Sequence, residues 1–142
     1  MEISLALLAD AANASQEGKL NLLGIFNAIY ARAFPAVHLS AQLVLSFEAS
    51  HAEAGRSKKI EIEFLDADGN KRLSSATTFV VPKGPTGYPI KWNQIVQLPP
   101  LRFEKPGDYA FHVFVNGEEK KSIPLQVLII TKPMAGKGGV KT

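Results

Sequence analysis

From Leu39 to Ile130 apolar and polar residues trade places at alternate positions, in runs cut by clusters of Gly, Pro, Asn and Asp. That period belongs to a strand with one buried face, and no segment carries the 3.6-residue period of a helix long enough to connect parallel strands. Leu39, Ala41, Leu43, Leu45, Phe47 and Ala49 share one face of such a strand, with Ser40, Gln42, Val44, Ser46 and Glu48 on the other. Ile60, Ile62 and Phe64 alternate with Lys59, Glu61 and Glu63, and beyond Asp66-Ala67-Asp68-Gly69-Asn70 the pattern returns as Leu73, Ser75, Thr77, Phe79 and Val81, which describes a hairpin. Tyr109, Phe111, Val113 and Val115 lead into Asn116-Gly117, the pair most suited to a two-residue type I′ turn, and a return strand runs from about Glu118 to Ile130. Pro124 within it cannot donate a ladder bond and places that stretch at a sheet edge or a bulge. Pro82 to Pro89 reads as a loop, and Ile90 to Leu98 as a strand.

The first thirty residues are richer in helix formers, but Ile3, Leu5, Leu7 and Ala9 alternate, and Ser15-Gln16-Glu17-Gly18 separates them from a second apolar run, Leu20 to Ala31. Two further strands follow. The expectation is an all-β chain: an antiparallel β-sandwich of about eight strands over residues 1–131, followed by a flexible basic tail at 132–142.

Leu7-Leu8-Ala9-Asp10-Ala11-Ala12, Gly18-Lys19-Leu20-Asn21-Leu22-Leu23-Gly24-Ile25-Phe26, Phe34-Pro35 and His38 resemble the opening of a bacterial family of uncharacterised small β-sandwich proteins. Asp66-Ala67-Asp68-Gly69, Pro106-Gly107-Asp108-Tyr109 and Asn116-Gly117-Glu118 are also similar to that family. The resemblance spans nearly all of residues 1–130 and implies a fold and a bacterial source, but no reaction. Tyr109, two residues before Phe111, also resembles the tyrosine corner of immunoglobulin-like domains, with Phe in place of their second cysteine. The rest of that signature departs, since the chain has no Cys and Trp92 stands close before Tyr109.

Charge and composition narrow the chemistry. The net charge is +3, but Lys132, Lys137 and Lys141 lie in the last eleven positions, where there is no acid; the remaining 13 basic residues balance the 13 acidic ones. Lys58-Lys59, Lys71-Arg72 and Lys120-Lys121 adjoin Glu61, Glu63, Asp66, Asp68, Glu118 and Glu119, so no basic stripe for nucleic acid is expected. The absence of Cys excludes disulfides, thiolate metal sites and a thiol nucleophile. Glu2 and Asp10 interrupt the N-terminal apolar run where a signal peptide needs a basic start and an unbroken core, and no stretch is long enough to span a membrane, so the expected location is cytoplasmic.

Catalytic and metal constellations are not expected. His38, His51 and His112 lack ligand spacing, no serine sits in a Gly-x-Ser-x-Gly elbow, and Gly136-Lys137-Gly138-Gly139 lacks the spacing of a phosphate loop. Asp66-x-Asp68-Gly69-Asn70 has part of a calcium loop, but Phe64 and Ser75 occupy the places of its first and twelfth ligands, so a turn is expected, with no metal and no cofactor.

What exceeds a sandwich's needs is apolar surplus. Leu20 to Tyr30 read as one strand puts Leu22, Phe26 and Tyr30 on one side and Leu23, Ile25 and Ile29 on the other, and Phe114 lies opposite Phe111 and Val113. Loops or the N-terminal segment must cover these groups, or a partner does. Leu23, Ile25, Ile29 and Phe114 are therefore the interface candidates of a non-enzymatic binding or structural module, working through a protein partner or self-association. The alternative is a small-ligand or carbohydrate-binding sandwich using Tyr88 and Trp92, although Trp92 alternates with the core-facing Ile90, Val96 and Leu98. A hydrolase would need Asp, His and Ser brought together from separate loops.

Overall fold

The structure, a computed structural model, describes residues 1–131; the expected tail at 132–142 lies outside the described residues. Its strands are β1 (Glu2–Ala14), β2 (Leu20–Phe26), β3 (Ala28–Ala31), β4 (Ala36–His38), β5 (Ala41–Ala49), β6 (Ser57–Leu65), β7 (Lys71–Val80), β8 (Ile90–Leu98), β9 (Leu101–Phe103), β10 (Gly107–Val115) and β11 (Glu118–Ile129). Eleven strands replace the expected eight because β3, β4 and β9, at three or four residues each, are too short for alternation to reveal. One four-stranded sheet has the order β2-β1-β5-β8, a second has the order β3-β11-β10-β6-β7, and β4 pairs with β9. The inner rows of the two larger sheets face each other, as in a β-sandwich.

Cross-strand register explains the core. Phe47 pairs with Trp92, Leu43 with Val96 and Phe111 with Phe64, so bulky side chains stand in rows on the inner faces. Phe64 stacks on Phe111 with centroids 4.3 Å apart and meets Phe103 edge-on at 6.1 Å. The Tyr109 ring stacks on Phe64 at 5.6 Å while its hydroxyl donates to the Lys105 carbonyl at 2.8 Å, so one side chain fills the core and ties down the corner before β10. Leu39, expected on the inward row of β5, stands before that strand begins and is 75% exposed.

The turns follow their residues. Asn116 and Gly117 take φ of 50° and 83°, as a type I′ turn requires, and the Asn116 side-chain oxygen accepts from the Lys59 amide at 2.9 Å. In the β6–β7 turn Asp66 Oδ1 accepts from the amides of Asp68 at 3.0 Å and Asn70 at 2.9 Å. Partial burial pushes the Asp66 carboxyl upward, but those two amides and the Arg72 guanidinium outweigh it and hold the group below the ordinary carboxylate range. Gln126 donates its backbone amide to the carbonyl of Asn27, just before β3, and Pro124, two residues earlier, points its missing amide the same way, one ladder step before β3 begins. The proline occupies an open stretch of β11, where no bond is lost.

The apolar run 20–31 is not one strand. It changes sheets at Asn27: β2 pairs antiparallel with β1, whereas β3 pairs parallel with β11. Ile29 consequently faces the core opposite Val127, on a different sheet from Leu23 and Ile25.

The β1–β2 hairpin also bends. The last β1–β5 pair is Ala9 with Gln42, and Ser46 lies four residues along β5, opposite Asn93. A straight hairpin would carry Gly18 on the order of 30 Å from that row, at ~3.3 Å per residue. Instead Asn93 Nδ2 donates to the Gly18 carbonyl at 3.0 Å, and Ala14, Glu17 and Gly18 share a cleft with Ser4, Ser46 and Trp92. Since Ser46 and Asn93 point away from the core, the hairpin lies back across the outer face of the four-stranded sheet. This roof explains Val44, which points outward between Leu7 and Ile95 yet has no exposure. Asp10 and Gly24 face each other at the bend; Gly24 has φ +71°, and a Cβ there would lie 2.5 Å from Asp10 Oδ2.

Gly24→Ala combines a left-handed backbone with that clash, and should lower unfolding free energy by about 1–3 kcal/mol in urea titration. Tyr109→Phe keeps the ring and loses the bond to Lys105, and should cost about 1 kcal/mol by the same measurement. The stability that ionised Asp66 contributes is fully present above the ordinary carboxylate range and disappears as pH falls through its lowered folded value. Asp66→Asn should therefore show a smaller drop in urea midpoint than wild type on going from neutral to strongly acidic buffer.

Candidate functional site

Every open sheet edge offers unpaired amides and carbonyls to a passing strand, and native proteins usually guard such edges with charge, proline, bulges or brevity. The edges of this sandwich can be compared one by one. Edge strand β7 opens with Lys71-Arg72 and turns Ser75 and Thr77, both exposed, toward the inner side. Edge strand β8 carries Lys91 and the exposed, inward-turned Gln94. β3 is four residues long. The stretch of β1 that precedes its pairing with β2 begins with Glu2 and contains an irregularity between Ile3 and Leu5. The stretch of β11 that precedes its pairing with β3 contains Glu118, Glu119, Lys120, Lys121 and Pro124.

β2 is different. Leu20-Asn21-Leu22-Leu23-Gly24-Ile25-Phe26 ends the four-stranded sheet with no charge and no proline in seven residues, its one irregularity being the bend at Gly24. Leu23 and Ile25 are 72% and 61% exposed. Leu20 and Leu22, at alternate positions, are half-buried, whereas Leu23 and Ile25 face solvent. Asn21 Nδ2 donates to Asn13 Oδ1 at 2.9 Å across the hairpin near its tip. Beside the crossover at Asn27, Ile25 and Phe26 form one wall of a groove of about 350 Å³ whose other walls are Ala6, Leu7, Ile123 and Pro124.

Of the four interface candidates, the structure brings together only Leu23 and Ile25. Ile29 packs against the core from β3, and Phe114 is half-buried on the outer face of the five-stranded sheet, between Glu61 and Glu119. Asn27 was the available signal for the separation of Ile29: it interrupts the apolar run where the chain changes sheets, but a single polar residue does not announce a crossover. Gly24 marked the bend in the same indirect way.

The ligand candidates also separate by environment. Tyr88 is 67% exposed on the loop after β7. Trp92 stacks on Phe47 at 5.2 Å with planes 22° apart and tilts against Phe79 at 5.3 Å. The titratable groups are dispersed: His38 Nε2 lies 3.7 Å from Asp10 Oδ1 with its ring against Phe26, His112 Nδ1 lies 3.3 Å from Glu119, and His51 is exposed in a short turn. Among the described residues no group of three or more His, Cys, Asp or Glu is placed to hold a metal ion, and no helix is long and apolar enough to cross a membrane.

No curated protein matches the chain. Among solved structures, it is similar to the Pseudomonas fluorescens alkylpurine DNA glycosylase AlkC bound to DNA containing an abasic site analog, with 20% identity, a TM-score of 0.37, and coverage of 71% of this chain and 27% of that one. The chain thus spans about a quarter of that protein's length, and the likeness carries no argument about activity. A family model described as a family of unknown function, DUF6941, matches residues 4–128, from within β1 almost to the end of β11. By that match over nearly the whole sandwich, the chain belongs to the family of unknown function DUF6941.

Proposed function

We propose that this protein is a non-enzymatic binding module that takes a protein partner along the β2 edge and the outward side of the N-terminal hairpin. The observation that carries the reading is the exposure of Leu23 and Ile25, 72% and 61%, on an edge strand without charge or proline. An added strand would satisfy the free backbone groups of β2, while its own apolar side chains would cover those two residues.

We read the framework as immunoglobulin-like. The order β1-β5-β8 against β7-β6-β10-β11 corresponds to strands A-B-E against C′-C-F-G, and the Tyr109–Lys105 bond sits at the start of the strand corresponding to F. In that reading β2 is an addition between A and B, outside the common sandwich, which is where a family-specific binding element would be grafted.

Nucleic acid is disfavoured as a partner because each basic cluster stands against acids: Lys71 with Glu63 at 3.0 Å, Lys59 with Glu61 at 3.8 Å, Arg72 with Asp66 at 3.9 Å and Lys120 with Glu118 at 3.4 Å. The carbohydrate reading is weaker than the protein reading because sugar stacking requires an open aromatic face, and Trp92 is half-buried and stacks on Phe47 in a three-ring cluster with Phe79.

The double substitution Leu23→Lys/Ile25→Lys tests the reading. Both positions are exposed, so the melting temperature should stay within a few degrees of wild type. Immobilised wild-type protein should retain specific proteins from an extract of the native host, and the folded double variant should lose at least nine tenths of them. Equal retention by the two would overturn the reading.

A further inference from the structure

We propose that His38 and Asp10 form a proton-dependent clasp on the bend of the N-terminal hairpin, tight when the imidazole is charged and slack when it is neutral. The clasp governs how firmly the hairpin is held, and it stands whether or not β2 takes a partner. Three strands meet at this point. His38 ends β4, which pairs with β9, and β9 is anchored by Leu101 and Phe103 in the core. The hairpin reaches His38 from both of its strands: Asp10 Oδ1 of β1 lies 3.7 Å from His38 Nε2, and the Phe26 ring of β2 lies 5.1 Å from the imidazole between centroids. The other carboxylate oxygen, Asp10 Oδ2, fills the space that a Cβ on Gly24 needs. The anion facing the histidine therefore rests on the bend itself, and tightening that contact holds the bend against β4.

A neutral ring leaves the contact incomplete. Nε2 is shut off from solvent and has no hydrogen-bond partner. A neutral imidazole carries one N–H and one bare lone pair. With the proton on Nδ1, the Nε2 lone pair faces a carboxylate oxygen and the two repel; with it on Nε2, the 3.7 Å gap is too long for a hydrogen bond and a neutral donor gains little by closing it. Charging the ring places an N–H and a positive charge before the anion, and a charge-assisted bond of about 2.8 Å then draws Asp10 and the bend inward. The same charge is attracted by Phe26, inside the roughly 6 Å at which an aromatic ring stabilises a cation. Both hairpin neighbours thus favour the charged ring. Asp10 is 61% exposed, so the gain is several-fold rather than orders of magnitude.

Other charges on the surrounding elements leave the pair alone. β2 carries none, Glu2 of β1 and Glu48 of β5 stand near the far ends of their strands, Arg102 of β9 is hydrogen-bonded to Glu104, and Arg32 on the turn before β4 forms no ion pair with Asp10. Histidine side chains change charge between about pH 5 and 8. The hold that the charged ring supplies is present at the acidic end of that range and is lost as pH rises and the proton leaves.

Hydrogen exchange of the full chain tests the clasp, because a two-stranded hairpin released from its support is marginal in water and exchanges faster. Protection of the amides of residues 11–23, corrected for the intrinsic effect of pH on exchange, should be greater by about threefold or more near pH 5.5 than near pH 8. Asp10→Asn keeps the shape of an exposed side chain and removes the anion, and His38→Gln removes the charge on the ring; each should bring the hairpin to equal protection at both pH values. His112→Gln, which removes the other contact between a histidine and a carboxylate, that with Glu119, should leave the difference in place. If His38→Gln fails to fold, Asp10→Asn decides alone. Wild-type protection that is no greater at the lower pH, a difference that survives Asp10→Asn or His38→Gln, or a difference that disappears in His112→Gln overturns the clasp. Host-protein capture by the Leu23→Lys/Ile25→Lys variant reports on the β2 reading separately.

Discussion

Phe64 sits where β6, β9 and β10 meet. Its ring stacks with Phe111 and Tyr109 from β10 and is met edge-on by Phe103 of β9, so two other elements converge on one fully buried side chain of β6. Burying such a ring contributes about 2–3 kcal/mol through removal from water, with further gain from ring geometry. The Tyr109 hydroxyl then fixes Lys105 from inside the same cluster. The corner before β10 is thereby set by packing and by a hydrogen bond from the same residue, which aligns β10 with β6 and β11 on either side.

A sandwich organised in that way hides its inner rows but leaves two outer faces to be solved separately. The five-stranded sheet uses polar pairs: Glu63 and Ser122 flank His112, and Glu61 and Glu119 flank Phe114. The four-stranded sheet has Leu7, Val44 and Ile95 abreast on its outer side, an apolar row that water would meet unfavourably. Folding the hairpin back removes Val44 from water altogether. Asp10 and Gly24 permit the fold, and the Asn93–Gly18 bond holds its tip.

The parts of this architecture that were legible in the sequence are those governed by period and turn chemistry. β5, β6, β10 and the turns at Asp66–Asn70 and Asn116–Gly117 follow from alternation and from residues that tolerate positive φ. Pro124 correctly signalled an open stretch of strand, since its effect on the ladder is local. What alternation cannot encode is a change of partner. Asn27 moves the chain between sheets while the apolar run continues through Ile29, and the same run therefore supplied two residues to an exposed hairpin and one to the core. Val44 was legible only as an apolar residue on the polar side of β5; its cover comes from the folded-back hairpin, through a bend visible in the sequence only as Gly24.

The roofing role and the binding role of the hairpin place opposite demands on β2. As a roof the hairpin needs an apolar inner side, and in β2 Leu20 and Leu22 are half-buried while Asn21, Leu23 and Ile25 are exposed. A roof alone is satisfied by polar residues there, as Asn21 shows. Placing Lys or Glu at positions 23 and 25 would guard the edge and cost the core nothing, because neither side chain is buried. Leu and Ile at those positions leave strand-pairing groups and apolar surface exposed together, a combination that favours association in water. The covering function accounts for the inward side of the hairpin; the proposed binding function accounts for the outward one.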